Sequence, residues 1–179
     1  MNGMIDVFIY IIFLCGNNTC AYNTNTTNID FNSTDFSTVM QQVINNSVNG
    51  NSVFIKCGDY YQHTSIIISS NLNIKGESTG GLSCSKIFAD NGIGPQFNIT
   101  LGKVSMTSLT LSHKGGQRNN PSDDGILLNN AGRVLIDNIF ISDQYNGIHL
   151  KSAGLITIQN SEIRNSINDQ ILLEGNQAA

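Results

Sequence analysis

Short runs in which apolar and polar residues alternate recur along most of this chain. Residues 124 to 145 (DGILLNNAGRVLIDNIFISDQY) and 146 to 167 (NGIHLKSAGLITIQNSEIRNSI) align without a gap as two copies of one 22-residue unit. Gly125 falls on Gly147, Ile126 on Ile148, Val134 on Ile156, Ile136 on Ile158, Asn138 on Asn160 and Ile141 on Ile163. A fixed short period marks a solenoid, and alternation at every second position marks strands, not helices. Three short strands per coil, each coil stacked on the next, make a parallel β-helix.

Upstream, the pattern predicts strands over 52–55, 65–68, 72–75, 86–89, 97–101 and 103–112, separated by Gly, Asn, Asp and Ser turn chemistry. Matching Leu72 and Ile74 to Val104 and Met106 gives a step of 32, and Val104 to Val134 a step of 30, so the earlier coils carry inserted loops. The clearest insertion is 112–123 (SHKGGQRNNPSD), and exposed loops of this kind often carry function. Ser108, Asn138 and Asn160 take one equivalent place in three coils. Asn tolerates a left-handed bend and its amide can bond from coil to coil, so this ladder reads as structural.

The period changes once. Phe36, Val39, Met40, Val43, Ile44 and Val48 fall at helical spacing, with Ser33, Thr34 or Asp35 able to cap the start and Gly50 the end. An amphipathic helix there predicts a lid over the N-terminal end of the stack, because a solenoid's end strands otherwise face water.

Residues 4 to 15 (MIDVFIYIIFLC) are an apolar run too short to span a bilayer and close to the core of a signal peptide. Residues 1–21 are therefore expected to be a leader, 22–33 a flexible lead-in, and 34–179 the β-helix domain, cut short or covered by a partner at its C-terminal end. The implied localisation is secreted or on the extracellular surface. Cys15 and Cys20 would leave with the leader, and Cys57 and Cys84 are expected to pair as a disulfide on adjacent coils. Asn25, Asn32, Asn45 and Asn98 stand in glycosylation sequons, in a chain with 25 Asn.

Nine Lys and Arg stand against 13 Asp and Glu, with no basic cluster, so nucleic acid is not an expected partner. His63, His113 and His149 lack metal-ligand spacing, and no metal or other cofactor is expected from the residues themselves.

Three segments together resemble the pectin-lyase-like superfamily of right-handed parallel β-helices, over roughly residues 35 to 175. They are the amphipathic helix followed by SVFIKCGDYY, the LNIKGE of 72–77, and the coil openings DGILL and NGIHL. The resemblance implies a right-handed, single-stranded coil with an N-terminal capping helix. It also implies extracellular polysaccharide or a cell surface as partner, with a homotrimer left open. Ser122-Asp123-Asp124-Gly125-Ile126 looks like the motif that supplies an acid in the polygalacturonases of that superfamily. One coil later, where those enzymes carry an Asp-Asp pair, this chain has Gln144-Tyr145-Asn146-Gly147. Hydrolysis needs two carboxylates converging on the glycosidic bond. A lyase would need Ca²⁺ and a base, and Arg164 with Glu162 beside it on one outward face is the candidate for that role.

Two functions follow. The first is a secreted or cell-surface module that binds polysaccharide or another surface. The alternative is a polysaccharide-degrading hydrolase or lyase, with Asp123, Asp124 and Arg164 as catalytic groups. In either, His113, Phe140, His149 and Glu162 are candidate substrate contacts.

Overall fold

The computed structural model describes residues 8–48, 50–113, 115–116 and 118–174. Strands β1 (Phe8–Cys15), β2 (Asn18–Asn23) and β3 (Asn28–Ser33) precede the helix α1 (Phe36–Asn46). Strands β4 (Asn51–Ile55), β5 (Gly58–Gln62), β6 (Ile66–Ile68) and β7 (Leu72–Gly76) follow, then a short hairpin of β8 (Ser78–Thr79) and β9 (Leu82–Ser83). The remainder is β10 (Ser85–Ala89), β11 (Phe97–Ile99), β12 (Lys103–Thr107), β13 (Thr110–Ser112), β14 (Ile126–Asp137), β15 (Phe140–Ser142), β16 (Ile148–Gln159), β17 (Glu162–Arg164) and β18 (Ile171–Leu173).

The fold is mostly β, and its strands form three parallel stacks. One runs β6, β11, the front of β14, the front of β16, then β18. The second runs β4, β7, β12 and the rear halves of β14 and β16. The third runs β5, β10, β13, β15 and β17. The long strands β14 and β16 serve two stacks because each bends near its middle, where their pairing shifts register around Asn129 and Ala131.

The register matches the sequence periods. Ile126 pairs with Ile148, Val134 with Ile156 and Ile136 with Ile158, while Ile141 pairs with Ile163. Leu72 pairs with Val104, and Val104 with Val134. The alternating apolar side chains therefore meet in one interior. Ile66, Ile74, Ile87, Phe97, Met106, Leu111, Ile126, Ile136 and Ile141 are all buried in it.

Close stacking explains the glycine that opens each repeat. A Cβ on Gly125 would stand 2.5 Å from the carbonyl oxygen of Gly147, and one on Gly147 would stand 2.6 Å from that of Gln170. The bend ladder also holds: Ser108, Asn138 and Asn160 have φ of 55°, 52° and 49°. Asn138 Nδ2 donates to Ser108 Oγ at 3.2 Å, but Asn160 Nδ2 turns to Asp137 Oδ1 at 2.9 Å, so the amides do not form one continuous row.

Helix α1 starts where expected. Asp35 is the N-cap, its carboxylate accepting from the Ser37 and Thr38 amides, and Phe36, Val39, Met40, Val43 and Ile44 are buried. The helix stops at Asn46, before Gly50, and Val48 is exposed. It packs against β2, β3, β5 and β6, with Phe36 and Tyr60 in ring contact at 5.3 Å.

The segment expected as a leader up to residue 21 and a lead-in over 22–33 carries three strands from residue 8 onward. They are built into the second stack. Strand β1 pairs in parallel with β4, and β2 and β3 continue from it in antiparallel sense. Tyr10, Ile12, Cys20 and Ala21 are buried in the common core. Residues 8–15 of the apolar run form a strand, and Ile12 faces inward beside Ile55 of β4. The polar segment after it alternates too weakly to announce β3, which is held by pairing with β2. Residues 1–7 and 175–179 lie outside the described residues.

Two disulfides are formed. Cys57 pairs with Cys84 across adjacent turns at a Cα separation of 4.7 Å, and Cys15 with Cys20 at 5.9 Å across the β1–β2 turn. The second joins two cysteines of the segment expected as a leader. Two disulfides fit an oxidising compartment. Among the described residues no helix is long and apolar enough to cross a membrane.

Candidate functional site

The corner just before β14 and β16 holds most of the buried polar groups of the molecule. The inserted loop over 112–123 folds back so that Arg118 is fully buried. Its guanidinium donates to Asp123 Oδ1 at 3.0 Å, to Gln144 Oε1 at 2.8 Å, to the Asp124 carbonyl at 3.3 Å and to the Gly94 carbonyl. Its Nε finds no hydrogen-bond partner. Burial lowers the Arg118 pKa, and the nearby charges of Asp123 and Asp124 oppose that shift. The loop thus pins itself to the body; in the sequence it read as a platform for function.

Asp123 is fully buried, and besides Arg118 it accepts from the Gly92 amide at 2.6 Å and the Gly94 amide at 3.0 Å. Asp124, 2% exposed, accepts from Asn146 Nδ2 at 2.7 Å and lies 2.8 Å from His149 Nδ1. Asn146 in turn accepts from Asn168 at 3.0 Å, so Asp124, Asn146 and Asn168 form a ladder at the 22-residue period. Gln144 Nε2 extends the network to Gln96 Oε1 at 3.0 Å.

His149 pairs with Leu127 of the coil before. It is 7% accessible, because Asp124 lies on one side and Glu174 on the other, with Nε2 2.9 Å from Glu174 Oε1. Nε2 has no hydrogen-bond partner despite that approach.

A carboxylate on each side of an imidazole can orient a general base. A nucleophile within reach is the other requirement of a triad. No Ser, Thr or Cys hydroxyl or thiol hydrogen-bonds to His149 among the described residues, and its second nitrogen faces a carboxylate.

The remaining candidates lie elsewhere. Phe140, Glu162 and Arg164 come together as expected, in the third stack. The Arg164 guanidinium lies 4.6 Å from the Phe140 ring centre and 3.4 Å from Glu162 Oε1, with both charged side chains exposed. Neither Asp123 nor Asp124 is among the contacts of Arg164; both are held by the Arg118 and His149 network. Ser142, two residues after Phe140 on β15, is buried, sharing a hydrogen bond with Ser112 at 3.0 Å and donating to Asp143 at 2.7 Å. His113 is half-buried, its Nδ1 held against the Ala89 carbonyl. Asn25, Asn32 and Asn45 are exposed and Asn98 half-buried in β11.

Sequence reasoning missed Arg118, Gln96, Asn146 and Glu174 as members of the network. Asn146 carried a signal, since it opens the second repeat where Asp124 opens the first. No protein family, curated protein or solved structure matches this chain.

Proposed function

We propose that this chain is a right-handed parallel β-helix of the pectin-lyase-like kind, exported from the cell, where it engages extracellular polysaccharide or another surface as a binding and structural module. Three parallel stacks in matched register support the architecture. Two disulfides and three exposed sequons support export.

The observation that carries the non-catalytic reading is the state of the two acids. Asp123 and Asp124 are buried and committed to Arg118, two backbone amides, Asn146 and His149. A carboxylate that protonates a leaving oxygen or activates water must reach the sugar, and these two are turned into the body. The alternative, a degrading enzyme, draws support from one feature: His149 lies between Asp124 and Glu174, and Glu174 is half-exposed.

The test is retention of the folded, secreted chain on insoluble cell-wall polysaccharide and on intact cell surfaces. Saturable retention by the native chain, absent after heat denaturation, is the expected result. A folded chain that passes every matrix and surface unretained would refute the binding role.

A further inference from the structure

We propose that the outer face of β4, β7, β12 and β14 carries a groove that binds an uncharged polyhydroxylated chain, a run of neutral pyranose rings. This inference rests on the binding role above and names its ligand and its site. The groove has a volume of about 420 Å³ and crosses all four strands. That lies within the roughly 300–1,000 Å³ of ordinary small-ligand sites.

Its lining is set by register. Ser52, Asn73 and Ser105 form one row across neighbouring strands, and Lys75, Thr107 and Asp137 form the next. Phe8 of β1 closes one end, packed against Phe54 with ring centres 5.1 Å apart and with the Lys75 ammonium 5.9 Å above its ring.

The choice of ligand follows from these groups. Hydroxyl and carboxamide side chains donate and accept, as sugar hydroxyls do, and an aromatic ring offers a flat apolar surface to the C–H face of a pyranose. Parallel strands are about 4.8 Å apart, so successive side chains within a row, one from each strand, can meet successive rings of a linear chain laid across the strands. A polyuronate would bring a negative charge on every ring. Against it the groove's own lining sets one ammonium, Lys75, and one carboxylate, Asp137, on either side of Thr107, while Lys103 and Arg133 lie outside it, two positions before the Ser105 row along β12 and β14. The balanced charge of the lining favours the neutral chain.

The experiment titrates the full chain with neutral oligosaccharides (β-glucan, mannan and chitin fragments) and with polygalacturonate, at low and high salt, by calorimetry and chemical-shift mapping. Expected is salt-insensitive binding of at least one neutral oligosaccharide. Ser105→Trp, which fills the groove from an outward position, should abolish it. Phe8→Ala should weaken it by up to about tenfold. Thr110→Trp, outward in the third stack, controls for surface substitution and should bind normally, and circular dichroism checks the fold of each variant.

Salt-sensitive binding of polygalacturonate alone would overturn the neutral ligand while leaving the binding role standing. Neutral binding that survives Ser105→Trp in a folded variant would overturn the site. A folded chain that binds no glycan in solution would overturn the inference, and retention on cell walls or cell surfaces would show separately whether the broader role survives.

Discussion

Replacing Arg118 with Met tests how the loop over 112–123 is held. Met keeps the apolar stem and removes the guanidinium, with its hydrogen bonds to Asp123, Gln144 and the Asp124 and Gly94 carbonyls. Asp123, with no exposed surface, is then left with two backbone amides and no opposite charge. Breaking a buried ion pair from one side costs about 3–5 kcal/mol, a large part of the roughly 5–15 kcal/mol that holds a domain together. With a urea m-value of about 2 kcal/mol/M, the midpoint should fall by about 2 M. The double variant Arg118→Met with Asp123→Asn removes the stranded charge and should recover about 1–3 kcal/mol of the loss. Urea unfolding followed by far-ultraviolet circular dichroism reads both. A single variant within about 1 kcal/mol of the native chain would show that the buried pair does not hold the corner, and the structural role assigned to Asp123 would fall with it.

Other outcomes follow from individual residues. Gly147→Ala should cost about 1–3 kcal/mol, because its methyl group would stand against the Gln170 carbonyl and the Ile163 side chain; a neutral effect in thermal melts would contradict the close stacking. Asp35→Ala should cost about 1 kcal/mol as a lost N-cap. Burial opposes ionisation of Asp35, but hydrogen bonds from Ser37, Thr38 and the His63 amide outweigh it and hold the pKa below its ordinary 3.8. Its contribution is thus present above pH 3.8 and lost as the pH falls through the lower folded value, so Asp35→Ala should flatten the acid limb of a stability profile. Removing the Cys57–Cys84 bridge should cost about 3.5 kcal/mol and the Cys15–Cys20 bridge about 2 kcal/mol, since the first closes the longer loop; paired Cys→Ser variants in urea check the order.

The β-rich, parallel character of the fold was legible because its core is written twice over at one period. Ile126, Val134, Ile136 and Ile141 return 22 residues later, and a strand pattern that repeats in register can be satisfied most simply by stacking. The helix was legible from the 3.6-residue spacing of Phe36 to Ile44. Residues 8–15 were not, since an unbroken apolar run serves equally as a leader and as a strand buried against a neighbour. The candidate site was legible in part. Asp123, Asp124 and His149 do come together, but their burial depends on Arg118 and Glu174, which arrive from a loop and from the following turn. A pattern confined to one strand cannot report which side chain from another segment covers it.

The most direct test of a structural role for Asp123 and Asp124 is an activity assay on the purified, folded chain. It would be incubated with a panel of acidic and neutral polysaccharides, with and without Ca²⁺, following new reducing ends and unsaturated-uronide absorbance. No product on any substrate, together with lowered stability of Asp123→Asn and Asp124→Asn, is the predicted result. Turnover by the native chain that disappears in Asp124→Asn, with that variant as stable as the native protein, would contradict it and make the corner an active site.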